Sequence, residues 1–307
     1  MFLKSLIGRC KKMLYSSKAM QTFATILFYK YVSIDDTASF LERERAVCEV
    51  LGLTGRVIIA SEGINATLEG TTENIAKYRA HIVKDKRFKY LDIKETAGSG
   101  QLFPRLSIKV RDEIVTSHLG AEINPRKDTG TYLEPEELKA WYRDGKEFEI
   151  IDMRNDYEYG VGHFKNARPS GMQNFKDISK IAPEHADLKD KTVVTVCTGG
   201  VRCEKASAYL KNQGFTNVYQ LHGGIHRYME KFPGEDFLGT LYTFDGRVTM
   251  DFGGDREIIG TCALCSATSE RFADCLLDSC GAHFIACDAC RDKQGRAACK
   301  AHQRQIA

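Results

Sequence analysis

Residues 191–205 read KTVVTVCTGGVRCEK, and the junction inside this stretch between an apolar run and a glycine pair sets the fold of the chain's second half. VVTV is a continuous apolar strand, the pattern of a strand buried on both faces of a parallel sheet. The carboxyl end of such a strand is where open α/β sheets bind their ligands, and Cys197 stands there. Gly199 and Gly200 allow backbone N–H groups to turn inward, with a helix N-terminus just behind. A thiol in such a positive cradle ionises more readily. Two readings fit. Cys197 is a nucleophile, or it is a buried thiol at a strand end followed by an ordinary Gly-rich turn.

Working outward, EPEELKAWYRDG (134–145) reads as a helix that Gly145 can end, and FEIIDMR (148–154) and NVYQL (217–221) as strands on either side of the central one. Strands alternating with helices imply a parallel, helix-covered sheet. TLYTFDGRVTMDF (240–252) reads as a hairpin turning at Asp245-Gly246.

The first half has a different rhythm. FATILFYKYV (23–32) is a strand, and Asp35 or Asp36 can cap a helix whose apolar positions Leu41, Val47, Val50 and Leu51 run until Gly52 and Gly55. RVIIA and INATLE are strands around the turn SEG; Thr72 opens a second helix through Ile75, Tyr78 and Ile82, and FKYLDIK (88–94) is a further strand. This order predicts a split βαβ, ferredoxin-like domain. PRLSIKVRDEIVT adds an extended stretch, and GAEINPRKDTGTYLEP reads as a linker.

The chain has 307 residues, too many for one average domain; 43% are hydrophobic and 28% charged, and the formal net charge is +3. No apolar run is long enough to span a bilayer, so no membrane association is expected, and the slight basic excess permits a polyanionic partner without demanding one. Seven of the eleven cysteines lie between Cys262 and Cys299. Cys262-x-x-Cys265 and Cys287-x-x-Cys290 are two chelating hooks with twenty-one residues between them, and Cys275, Cys280, Cys299 and His302 form a further set of four. The segment is therefore predicted to hold two tetrahedral zinc ions, one per set, with His283 as a possible substitute ligand. With few large apolar side chains, it needs metal to fold. The first twenty-two residues hold five Lys or Arg and no acid. They read as a basic presequence or as an extension before a true start at Met20, and the cysteine usage suits a reducing cytoplasm.

The pieces IDMRNDYEYGVGHFKNA, CTGGVRCEK and YQLHGGI together resemble a rhodanese domain, over roughly residues 131–235. More narrowly, ASEGINATLEG, FPRLSIKVRDEIVT, GTYLEP, RNDYEY and CTGGVRCEK are similar to the rhodanese-related tRNA uridine hydroxylase family, over about residues 23–250. The resemblance implies conversion of the wobble uridine of certain tRNAs to 5-hydroxyuridine with molecular oxygen as co-substrate. Cys197 would be catalytic, with Thr198, Gly199, Gly200, Val201, Arg202 and Cys203 as its loop; Val201 departs from the commoner Ile, and Cys203 either resolves an oxidised Cys197 or packs. Asp152, Arg154 and His163 would support the loop. Glu62, Gly63 and Asn65 match family positions, as do the basic residues Lys94, Arg105, Lys109 and Arg111, whose charge suits phosphates of a tRNA anticodon stem-loop. Phe28, Tyr29 and Tyr31 either stack on bases or pack in the core, and core packing is expected for at least two of them.

The resulting expectation is α/β and α+β. A basic extension (1–22) precedes a ferredoxin-like RNA-contacting domain (23–118), a linker (119–130) and a rhodanese domain (131–236). A hairpin connector (237–261) then leads to a cysteine-rich zinc-binding tail (262–307). A sulfurtransferase carrying a persulfide on Cys197 is the alternative chemistry, and a binding module that keeps the fold as scaffold is a further rival.

Overall fold

The computed structural model describes residues 22–303 apart from 121 and 255. The basic extension up to residue 21 and the last four residues of the tail lie outside the described residues. No described helix is long and apolar enough to cross a membrane.

The front domain runs β1 (Phe23–Tyr31), α1 (Thr37–Val50), β2 (Thr54–Ala60), β3 (Gly63–Thr71), α2 (Thr72–Ile82), β4 (Lys94–Gly98) and β5 (Leu106–Val110). Its sheet has the order β4-β1-β3-β2-β5. The first four strands are antiparallel in the ferredoxin-like order, and β5 adds in parallel beside β2. Asp36 caps α1 and Thr71 caps α2, each accepting a backbone N–H three residues on. Strand alternation divides the sheet cleanly. Ile26, Phe28, Val57, Ile59, Ile64 and Leu68 face α1 and α2 and form the core with Phe40, Ile75 and Tyr78. The residues between them face away from those helices.

Two expectations fail here. The predicted strand FKYLDIK is a short helical turn at Lys86–Phe88, capped by Asp85 and anchored by buried Phe88, and the edge strand forms only from Lys94. Val50, counted on the apolar face of α1, is 87% exposed, because the helix turns Phe40, Glu44 and Cys48 inward.

The second domain follows as α3 (Pro125–Asp128), β6 (Thr131–Leu133), α4 (Pro135–Arg143), β7 (Glu149–Asp152), α5 (Asp156–Val161), β8 (Gly162–Phe164), β9 (Arg168–Pro169), α6 (Ile181–Glu184), β10 (Thr192–Val196), α7 (Val201–Asn212), β11 (Asn217–Leu221) and α8 (Gly224–Lys231). Its sheet, β6-β11-β10-β7-β9, is parallel throughout. Val193 packs with Ala206 and Leu210 on the α7 side, while Val194 and Val196 pack with Leu138, Ile225 and Tyr228 on the other. Both faces are covered, as the apolar run required. Within the segment 119–130, α3 lies against α7 and Ile123 joins the core.

β12 (Phe237–Gly239) pairs with β8, and β13 (Leu241–Tyr242) pairs with β14 (Thr249–Met250) around the Asp245-Gly246 turn. The tail is a small sheet of β15 (Phe272–Cys275), β16 (His283–Ile285) and β17 (Arg296–Ala297).

Candidate active site and metal clusters

β10 ends at Val196 and α7 starts at Val201, so Cys197 opens the four-residue loop between them. Gly200 sits at φ +104°, which frees its N–H to donate to Cys197 Sγ at 3.2 Å. Burial pushes the Cys197 thiol up. The Cys203 thiol, the Arg202 guanidinium and the N–H groups of Cys203 and Arg202 outweigh it and bring the thiol down to about 6. Cys203 is fully buried and its own thiol is pushed well up, first by burial and then by Cys197, so it serves as the protonated donor of the pair. Arg202 is fixed by two bonds to buried Glu158, at 2.7 and 2.8 Å. The loop therefore favours the thiolate form of Cys197.

The other face of the front sheet covers this loop. Leu27 and Tyr29 of β1 lie so close that a Cβ at Gly199 would fall 3.1 Å from Leu27 Cδ2, and one at Gly200 would fall 2.8 Å from the Tyr29 hydroxyl. Tyr29 donates to Glu204 at 2.9 Å and Tyr31 to the Val201 carbonyl at 3.2 Å, so of the three aromatics only Phe28 packs in the core. Lys205 reaches Glu62 and Glu113 at 2.9 and 2.7 Å, and Arg227 pairs with Asp92. Between sheet and loop lies a cavity of about 540 Å³. Thr25, Leu27, Tyr29 and Lys94 line its roof, and Cys197, Thr198, Gly199 and Arg202 its floor. His226 of α8 joins the wall, its ionisation depressed to about 3 by burial and by the charges of Lys94, Arg227 and Arg247. A second cavity of about 680 Å³ opens beside the first and shares Arg56 and Phe244 with it; Arg105, Lys109 and Arg111 line it.

A family profile described as a UPF0176 acylphosphatase like domain matches residues 23–114, a rhodanese-like domain profile matches 134–231, and one described as rhodanase C-terminal matches 238–303. A tRNA uridine(34) hydroxylase of Cytophaga hutchinsonii is 44% identical over 287 residues, covering 92% of this chain and 91% of the relative. Proteins of the same name from Listeria welshimeri and from Aster yellows witches'-broom phytoplasma are each 39% identical, over 87% and 92% of this chain and 85% and 93% of theirs. The chain belongs to the tRNA uridine(34) hydroxylase family.

The supporting residues that resemblance to the hydroxylase family suggested fall into two groups. Asp152 and Arg154 form a fully buried pair, and Arg154 also donates to the Gly162 carbonyl at 2.5 Å. They brace the strand end beside Val196 without lining the cavity. His163 stacks on Tyr159 at 4.1 Å and bonds its carbonyl, also away from the cavity. Glu62 and Asn65 bind the backbone of Ile114, and a Cβ at Gly63 would fall 2.0 Å from the Lys30 carbonyl oxygen. Lys94 departs most from expectation. It is 1% exposed, pairs with Asp92 at 2.8 Å and faces the cavity, unlike Arg105, Lys109 and Arg111, which stay exposed on the groove.

Glu158, Glu204, Lys205 and His226 were missed in the sequence. The available signal was α7 itself: VRCEKASAYLKN shows no clean apolar stripe, and every residue from Arg202 to Leu210 is buried because the helix is clamped between its own sheet and the front domain.

In this hydroxylase-family chain the tail gathers the eight candidate ligands into two groups that could each hold a metal ion. Cys262, Cys265, Cys287 and Cys290 form one group and Cys275, Cys280, Cys299 and His302 the other, with the ligand atoms of each group all within 4.8 Å of one another. The Cys280–Cys299 sulfur separation is 3.8 Å, the edge of a tetrahedron with metal–sulfur bonds of about 2.3 Å. The ten described cysteines are free thiols, and the small core around the first group is built largely on Ala273, Ala286 and Ala297. Both groups suit a metal ion. His283 lies outside both groups: it bonds Asp274 and stacks on Phe272.

Proposed function

We propose that this protein hydroxylates C5 of uridine 34, the wobble uridine, in tRNA, with Cys197 as nucleophile and molecular oxygen as co-substrate. The observation that carries the reading is a cysteine whose sulfur accepts the Gly200 N–H at the floor of a cavity of about 540 Å³, in a chain whose relatives bear the hydroxylase name. Attack of the Cys197 thiolate on C6 places the displaced π pair on C5 and O4, which makes C5 nucleophilic. C5 then takes one oxygen atom. Loss of the C5 proton and expulsion of the thiolate from C6 restore the ring as 5-hydroxyuridine. The other oxygen atom leaves as water with two electrons and two protons from a reductant.

An unpaired anticodon loop presents this ring without the cost of opening a duplex. The groove carrying Arg105, Lys109 and Arg111 is the path for the flanking phosphates of the anticodon stem-loop, with Phe244 between groove and cavity as a surface for a base to stack on. Zinc fits the sulfur-rich tail, where it would hold structure. The reaction belongs in the cytoplasm with its tRNA.

The test is nucleoside mass spectrometry of tRNA incubated with the protein and a reductant, with and without oxygen. 5-Hydroxyuridine that forms only with oxygen and vanishes in Cys197→Ser is the expected result. Thiolated uridine would instead assign Cys197 to sulfur transfer, and unmodified tRNA would overturn the reading.

A further inference from the structure

The cavity roof holds a cation that the phosphate role does not account for. Lys94 is the first residue of β4 and pairs across the ladder with Leu27, the side chain seated on the Cys197 loop. Its ammonium has three donors, and one is given to Asp92 at 2.8 Å. No other hydrogen bond of this group is found among the described residues. Asp92 is itself held by Arg227 of the second domain, so the ammonium is fixed from both halves of the molecule.

The other buried or half-buried cations of the cavity are engaged differently. Arg202 is committed to Glu158 through both terminal nitrogens, and Arg247 to Asp245 at 2.9 and 2.5 Å. Arg56 and Lys176 are exposed at the rim. Lys94 is thus the fully buried cation that lines the cavity with donors to spare.

The chemistry requires such a group. When a thiolate adds to C6 of uracil, the negative charge leaves sulfur and appears on the C4 oxygen as an enolate. In a closed site that charge needs a preorganised donor. Resting on the hydroxylase reading above, we infer that Lys94 is a catalytic residue whose ammonium binds O4 of the target uracil and stabilises the enolate formed when Cys197 adds to C6.

The step can be read without the oxygen chemistry. Under anaerobic conditions in D2O, addition of the thiolate, deuteration of the enolate at C5, loss of the original C5 proton and expulsion of the thiolate exchange that hydrogen with no net oxidation. The wild-type protein should therefore exchange C5–H of the target uridine in tRNA. Lys94→Met should slow exchange by on the order of 10²–10³-fold with tRNA affinity retained, and Lys94→Arg should recover at least tenfold over Lys94→Met. If Lys94→Met does not fold by circular dichroism, Lys94→Gln replaces it, with the same loss expected. Exchange within tenfold of wild type in the folded neutral variant overturns the assignment, as does wild-type hydroxylation with no exchange at all. A wild-type protein that neither exchanges nor hydroxylates defeats the hydroxylase reading itself, and the enolate role with it.

Discussion

The Tyr29 phenol donates to the Glu204 carboxylate at 2.9 Å, tying the front sheet to the first turn of the helix that follows Cys197. Glu204 also receives Tyr132, Thr129 and Gln220, so one buried carboxylate gathers three segments. Tyr29→Phe removes one of four donors and should cost about 1.5 kcal/mol in urea denaturation, at the low end for a bond to a charged acceptor. Glu204→Leu strands the donors and should cost more. Equal stabilities for the two variants would contradict this bonding pattern.

Cys197 should titrate with a midpoint near 6, read as thiolate ultraviolet absorbance of wild type minus Cys197→Ser. Cys203→Ala removes a donor and should raise that midpoint. Since the folded value lies below the ordinary thiol value of about 8.5, the thiolate's contribution to stability is full above the ordinary value and is lost as pH falls through about 6. A midpoint at the ordinary thiol value would remove the cradle's role.

Gly200→Ala should be among the most damaging single changes. The position needs φ +104°, and the new methyl would meet the Tyr29 hydroxyl at 2.8 Å. A loss of about 1–3 kcal/mol from the backbone alone is expected in thermal denaturation, and Tyr29→Phe should relieve only the steric part.

Purified without chelator, the protein should carry two zinc ions by elemental analysis. Cys290→Ser should leave one, Cys299→Ser should leave the other, and His283→Ala should leave both. Chelation should expose the tail to protease before the rest of the chain, because its apolar core is small. One zinc in the wild type would contradict the second group.

Arg105→Glu should weaken tRNA binding and flatten its dependence on salt, as each lost phosphate contact releases about one counterion fewer. The Cys197 titration should not move. A salt series of tRNA binding decides it, and an unchanged slope would take the groove off the RNA path.

Topology and the grouping of the tail cysteines were legible because each rests on local spacing: alternating strands and helices, glycine stops, and C-x-x-C hooks. The Cys197 loop was legible for the same reason. What covers it was not. Period-two alternation in β1 shows that the sheet has two faces, yet the residues on the far face, Thr25, Leu27, Tyr29 and Tyr31, do not say what they meet. Lys94 is grouped with the phosphate contacts by the family resemblance alone, and its burial is not legible in the sequence; the edge pairing of β4 with β1 places it in the cavity lining. FKYLDIK failed because Phe88 is claimed by the helix core before a strand can form.

The salt links from Glu62, Glu113 and Asp92 to Lys205 and Arg227 cross between the halves of the molecule. A rhodanese half expressed alone would present Glu204 and Lys205 to water with their partners gone, and its thiolate would lie open to oxidants. The two halves are therefore each other's counter-ions: a front domain lacking these acids would leave Lys205 and Arg227 without their partners at the seam even where each half could fold.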